Sequence, residues 1–61
     1  MIEDVVRFTS DSPYGDYAFG EMGVLKGFVS GGDGTPCAVV RKAKTLTYVL
    51  APLTSIQCMK V

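Results

Sequence analysis

Sixty-one residues, 48% of them apolar and with six acidic side chains balanced by six basic ones, suffice for one domain (1–61) with a small core and modest stability. No apolar run approaches the roughly 20 residues that cross a bilayer as a helix. With no histidine, and with Cys37 and Cys58 as the only cysteines, a zinc cluster is excluded.

The first strand is expected at Val5-Val6-Arg7-Phe8, β-branched and aromatic and preceded by Glu3-Asp4. Thr9 to Phe19 (TSDSPYGDYAF) is rich in turn formers and reads as a long loop: Pro13 fixes φ and Gly15 permits a positive one. Tyr14, Tyr17 and Phe19 fall within six positions of it, which is unusual for an idle loop. Gly20 to Val29 is the second strand. Its three glycines cost a helix about 1 kcal/mol each relative to alanine, whereas in a strand they mark bulges or sharp coiling. Ser30 to Pro36 (SGGDGTP) is the clearest turn of the chain.

Cys37 to Arg41 forms a third strand, and Lys42-Ala43-Lys44 is a tight basic connection into a fourth, Leu46 to Leu50. Pro52 removes a ladder donor and ends that strand. Leu53-Thr54-Ser55 makes about one helical turn, and Ile56 to Val61 is the fifth strand. Five short strands with turn chemistry between them predict an all-β small barrel. Its expected core is Val6, Phe8, Val24, Phe28, Val39, Val49, Leu53 and Ile56, and each cysteine has the place of a small buried apolar residue.

Charge is divided along the chain. Residues 1–33 hold every acid (Glu3, Asp4, Asp11, Asp16, Glu21, Asp33), whereas residues 34–61 hold Arg41, Lys42, Lys44 and Lys60 and no acid. Such polarity suits an acidic partner or head-to-tail contact between copies, against the plainer alternative of a solvated hairpin tip. With no secretory leader, the cytoplasm is the expected compartment and both thiols stay reduced there. Catalysis is poorly supplied: no histidine, no serine or cysteine beside a base, and no phosphate-binding fingerprint. Gly31 to Gly34 reads as a flexible hairpin loop rather than an anion cradle, and Asp11 and Asp16 as loop caps rather than a catalytic pair.

The order of VVRF, the TSDSPYGDYAF loop, GVLKGFV, CAVVR, LTYVL and APLTSI resembles SH3-like small barrels. That family has a first strand, a long irregular loop, a three-stranded meander, one 3-10 turn and a closing strand. Gly20-x-x-Gly23-Val24-x-x-Gly27 is similar to KOW-type barrels, in which glycines mark a strongly coiled strand. Tyr48 to Ile56 also resembles the closing segment of the plasmid-encoded dihydrofolate reductases, which assemble as homotetramers around a pore. Where that family carries its pore-lining Gln-Ile-Tyr, this chain has Val49-Leu50-Ala51, so the resemblance implies assembly and not reductase chemistry. Small free-standing modules of this kind also resemble accessory proteins of phages and plasmids that clamp onto a host protein.

The resemblance implies a non-enzymatic binding module without a cofactor. In SH3-like barrels the long loop and the Gly-rich hairpin flank an aromatic ligand groove, for which Tyr14, Tyr17, Phe19 and Tyr48 are the matching residues, Phe19 having roofing of the core as its plainer role. The ALYDY-type motif of the peptide-binding members is absent, as is tryptophan, so a mode other than proline-rich recognition is implied. Leu46, Tyr48 and Leu50 share one face of their strand, and Thr47, Val49 and Ala51 the other, and neither face is polar. A strand apolar on both sides calls for a second copy over one of them, with Leu46, Val49 and Ala51 as the self-association residues of a dimer or tetramer. The alternative is an RNA- or DNA-binding barrel using Arg41, Lys42 and Lys44 with the loop aromatics, opposed by a pI of about 6.0. A further alternative is a ligand-binding or reductase-like barrel whose site forms only at a symmetry axis.

Overall fold

The computed structural model describes residues 4–59 as five antiparallel strands in one sheet, with no α-helix. In chain order these are β1 (Val5–Phe8), β2 (Met22–Ser30), β3 (Pro36–Lys42), β4 (Tyr48–Pro52), a 3-10 turn (Leu53–Ser55) and β5 (Ile56–Cys58). The order across the sheet is β4-β3-β2-β1-β5, so the two edge strands are consecutive in the chain. That connectivity dictates curvature. Flat, the edges would stand about 19 Å apart at four strand spacings. A 3-10 turn rising about 2 Å per residue covers only about 8 Å between Pro52 and Ile56. The sheet therefore coils until β4 and β5 come within reach of one short turn, and Thr9 N–H ties that turn to the end of β1 by donating to the Ser55 carbonyl at 2.8 Å.

The enclosed core is Val6, Phe8, Tyr17, Leu25, Ala38, Val40 and Ala51, with Val49 and Ile56 packed against it. Val6, Phe8, Val49 and Ile56 stand as expected. On β2 the inward face is Gly23 and Leu25 rather than Val24 and Phe28, and on β3 it is Ala38 and Val40 rather than Val39. The physical cause on β2 is a glycine. Val6 pairs with Gly23, whose absent side chain adds nothing to a hydrophobic pattern although it occupies an inward position. A Cβ there would lie 2.6 Å from both the Arg41 carbonyl oxygen and Val40 Cγ1, so only glycine lets β2 and β3 approach so closely.

A bulge then interrupts the register between Leu25 and Gly27. Phe28, beyond it, pairs with Ala38 yet remains 55% exposed. On β3 the run Cys37-Ala38-Val39-Val40 is apolar throughout, so alternation carries no information there. Leu53, expected inside, is exposed on the 3-10 turn, Cys37 is half-buried and Cys58 exposed.

The fourth strand begins two residues later than its composition suggests. Lys42 N–H donates to the Thr47 carbonyl and Leu46 N–H to the Lys42 carbonyl, each at 2.8 Å, which closes the hairpin at 43–46. Leu46 thus lies in the turn, at φ 59, a left-handed conformation that costs a side-chain-bearing residue about 1–2 kcal/mol. Pro52 ends the strand, as expected, pairing with Cys37 as its last residue. Antiparallel alternation from the Lys42–Thr47 bond turns the backbones of Val49 and Ala51 toward β3, and those of Tyr48, Leu50 and Pro52 toward the sheet edge. The missing N–H of Pro52 therefore costs no ladder bond.

Candidate binding groove

The long loop is built by short-range hydrogen bonds. Ser12 N–H donates to the Tyr17 carbonyl at 2.9 Å, Gly15 N–H to the Ser12 carbonyl at 3.1 Å, and Tyr14 N–H to Ser12 Oγ at 3.0 Å. Gly15 supplies the positive φ, 80°, that the turn requires. Asp11 Oδ1 accepts from Phe19 N–H at 2.7 Å, the loop-capping role expected for it.

The loop's second half is tied to the sheet. Glu21 Oε1 accepts from Ala18 N–H at 2.9 Å, and Lys42 Nζ reaches both the Asp16 carbonyl at 2.7 Å and Glu21 Oε1 at 3.4 Å. The Ala18 N–H, followed by Lys42, holds the Glu21 carboxyl below its ordinary range.

This scaffold separates the loop aromatics. Tyr17 turns inward and stacks on Phe8, with ring centroids 4.3 Å apart and planes 16° from parallel. It is a core residue rather than the partner-facing residue expected, because Phe8 and the closing sheet need a second ring to fill their end of the interior. Tyr14, at the apex, is 88% exposed. Phe19 neither roofs the core nor joins Tyr14. It is exposed over a separate hollow of about 550 Å³, shared with Met22, Ala43 and Lys44.

Between the loop, the Gly-rich turn and β4 runs a groove of about 800 Å³. The loop contributes Pro13, Tyr14, Asp16 and Tyr17, the turn and the start of β3 contribute Gly31, Gly32, Asp33, Thr35 and Cys37, and β4 contributes Tyr48, Val49, Leu50 and Pro52. Tyr14 and Tyr48 are thus brought to one cleft from positions far apart in the chain, with the buried Tyr17 only bordering it. Tyr48 and Leu50 are 60% and 54% exposed, and the backbone groups of both face the edge of β4, which pairs with no other strand among the described residues.

Two carboxylates, Asp16 and Asp33, line the cleft and no cationic side chain does. Asp33 Oδ1 accepts from Thr35 N–H at 2.9 Å, and that bond lowers its pKa, so the turn both positions the carboxylate and keeps it charged.

The basic residues do not assemble into one face. Arg41 pairs with Tyr48 and Val24 on the outer side of the sheet, Lys42 is consumed in pinning the loop, and Lys44 stands on the hairpin tip. Of the residues expected to mediate self-association, Ala51 is fully buried in the core, Val49 packs against it, and Leu46 is exposed on the turn. Strand alternation sends Val49 and Ala51 inward once Val40 and Ala38, their partners on β3, are inside. The apolar outer positions of β4 are Tyr48 and Leu50. Leu50 and Pro52 were legible as groove residues only through their parity with Tyr48, and Asp16 and Asp33 through the loops that carry them.

Among the described residues no helix is long and apolar enough to cross a membrane. No family model matches the sequence, and comparisons with curated proteins and with solved structures return no match.

Proposed function

We propose that the protein is a non-enzymatic binding module of SH3-like design, taking an extended segment of another protein into the cleft between the long loop, the Gly-rich turn and β4. The observation that carries this reading is the meeting of exposed Tyr14, Tyr48 and Leu50 with two carboxylates, Asp16 and Asp33, beside a strand edge that pairs with no other strand among the described residues. Exposed rings and aliphatics beside a cleft are costly in water and supply the apolar contact of an interface. The carboxylates select a segment carrying a lysine or arginine, and the open edge of β4 offers backbone hydrogen bonds to an extended chain. Specificity then comes from alternate side chains and affinity from the main chain and the rings.

Self-association belongs to the same reading, since Tyr48 and Leu50 are as available to a second copy as to another protein. Nucleic acid fits less well, because the aromatic cleft is acidic and Lys42 is occupied within the chain.

The test is an NMR titration of the 15N-labelled protein with a pool of random hexapeptides, each carrying one lysine and two leucines. The expected result is shifts at Tyr14, Asp33, Tyr48 and Leu50, which a matched pool with glutamate in place of lysine does not produce. Shifts confined to Arg41 and Lys44 on addition of a single-stranded oligonucleotide, with the peptides silent, would overturn the reading in favour of nucleic acid.

A further inference from the structure

The hairpin tip at 43–46 and the groove are opposite in charge and alike in apolar character. The groove is lined by Asp16 and Asp33 and by no cation, and the tip carries Lys44 and no acid. Lys44 is exposed and makes no ion pair among the described residues; the nearest acid is Glu21, across the hollow beside Phe19, which Lys42 already pairs. Beside it Leu46 is 62% exposed and left-handed, at φ 59. A glycine would adopt this backbone without strain, and a polar residue would suit the exposure, so the packing of one chain leaves leucine unexplained at this position. The tip cannot fill the groove of its own chain. The Lys42–Thr47 and Leu46–Lys42 hydrogen bonds hold it beyond the start of β4, whereas the groove lies along that strand.

We propose that the tip of one copy docks in the groove of a second, with Leu46 against Tyr14, Tyr48 and Leu50 and with Lys44 beside Asp16 and Asp33. This rests on the groove being a segment-binding site, and names the chain itself as a segment that it takes. The contact joins two different surfaces, so it is head-to-tail: copies add in a row, or in a ring where the rotation closes. It becomes weaker as salt rises, because it sets one surface cation, Lys44, beside two surface carboxylates.

Two variants separate the halves of the contact. Leu46→Gly with Lys44→Ser removes the tip, and Tyr14→Ala with Asp16→Asn removes the groove, neither touching the core. Analytical ultracentrifugation is expected to show the unmodified protein growing beyond a dimer with concentration, and each variant self-associating roughly tenfold or more weakly. Mixed in equal amounts, the two variants are expected to form a one-to-one dimer and nothing larger, since only one intact tip and one intact groove remain. In that mixture the 15N-labelled tip variant shifts at Tyr48 and Leu50.

Leu46→Gly alone is expected to raise the thermal midpoint while weakening association, an opposition that a purely structural role for Leu46 would not produce. An unmodified protein that stays monomeric at millimolar concentration overturns the proposal, and so does a dimer that survives in both variants or a silent mixture. If the lysine-leucine hexapeptides shift the groove of the tip variant while the mixture is silent, the proposal fails and the groove reading stands. If both are silent, both fail.

Discussion

Tyr14 and Tyr17 lie three positions apart in one loop, yet the first is 88% exposed and the second 4%. Tyr14 stands between Pro13 and Gly15 and Tyr17 between Asp16 and Ala18, and neither pair of neighbours ranks one ring above the other for burial. The Ser12–Tyr17 hydrogen bond and the Lys42 tether at Asp16 separate them, turning one ring onto Phe8 and leaving the other at the apex. An aromatic cluster in a loop is thus two populations, one that holds the loop down and one that the anchored loop presents.

The difference is broken most readily at its buried end. Phe8→Ala and Tyr17→Ala should each cost about 3–5 kcal/mol, the range for emptying an aromatic site. A domain this small has about that much stability in total, so both variants are expected to lose amide dispersion at room temperature. A Tyr17→Ala protein with an unchanged urea midpoint would return Tyr17 to the surface.

Next in size is Gly23→Ala, which forces a methyl group against the Arg41 carbonyl and Val40 and should cost about 1–3 kcal/mol by chemical denaturation. A neutral result would mean that β2 and β3 do not approach so closely beneath the loop.

The tether has a pH signature. The Ala18 N–H and Lys42 lower the Glu21 pKa from its ordinary 4.5, so the stabilisation is complete above 4.5 and is lost as pH falls through the lower folded value. Glu21→Gln should therefore remove part of the acid-side loss of stability, read as a smaller difference between urea midpoints at neutral and strongly acidic pH. An identical acid profile in the variant would disconnect Glu21 from the loop.

The smallest stability change is expected at the exposed end. Tyr14→Ala should move the midpoint by no more than about 0.5 kcal/mol while abolishing the peptide-induced shifts at Tyr48 and Leu50. Together these variants sort the loop into anchor and presented surface.

Strand existence and turn placement were legible because they rest on local chemistry. β-branched runs, Gly-rich and Pro-containing breaks, and the single helical turn before Ile56 appear where the chain composition calls for them, except that β4 starts two residues late because Leu46 is held in the turn. Which side of each strand faces inward was legible on β1, whereas on β4 two apolar faces left it open, with Val49 expected both in the core and, with Ala51, at a self-association surface. It was not legible on β2, where Gly23 holds an inward position with no side chain, nor on β3, where four apolar residues run together.

For the groove, the contributing loops and Tyr14 and Tyr48 could be foreseen, but not their separation from Tyr17 and Phe19. Amino-acid order by itself determined five strands, their breaks and the division of charge between the two halves of the chain, since these depend on backbone preference and composition. Only the tertiary structure decided which tyrosine is buried, which lysine is spent on a carbonyl, and which aspartates meet the exposed edge of β4. Those outcomes depend on register and on how far the sheet must coil to join its own edges, neither of which a linear pattern encodes.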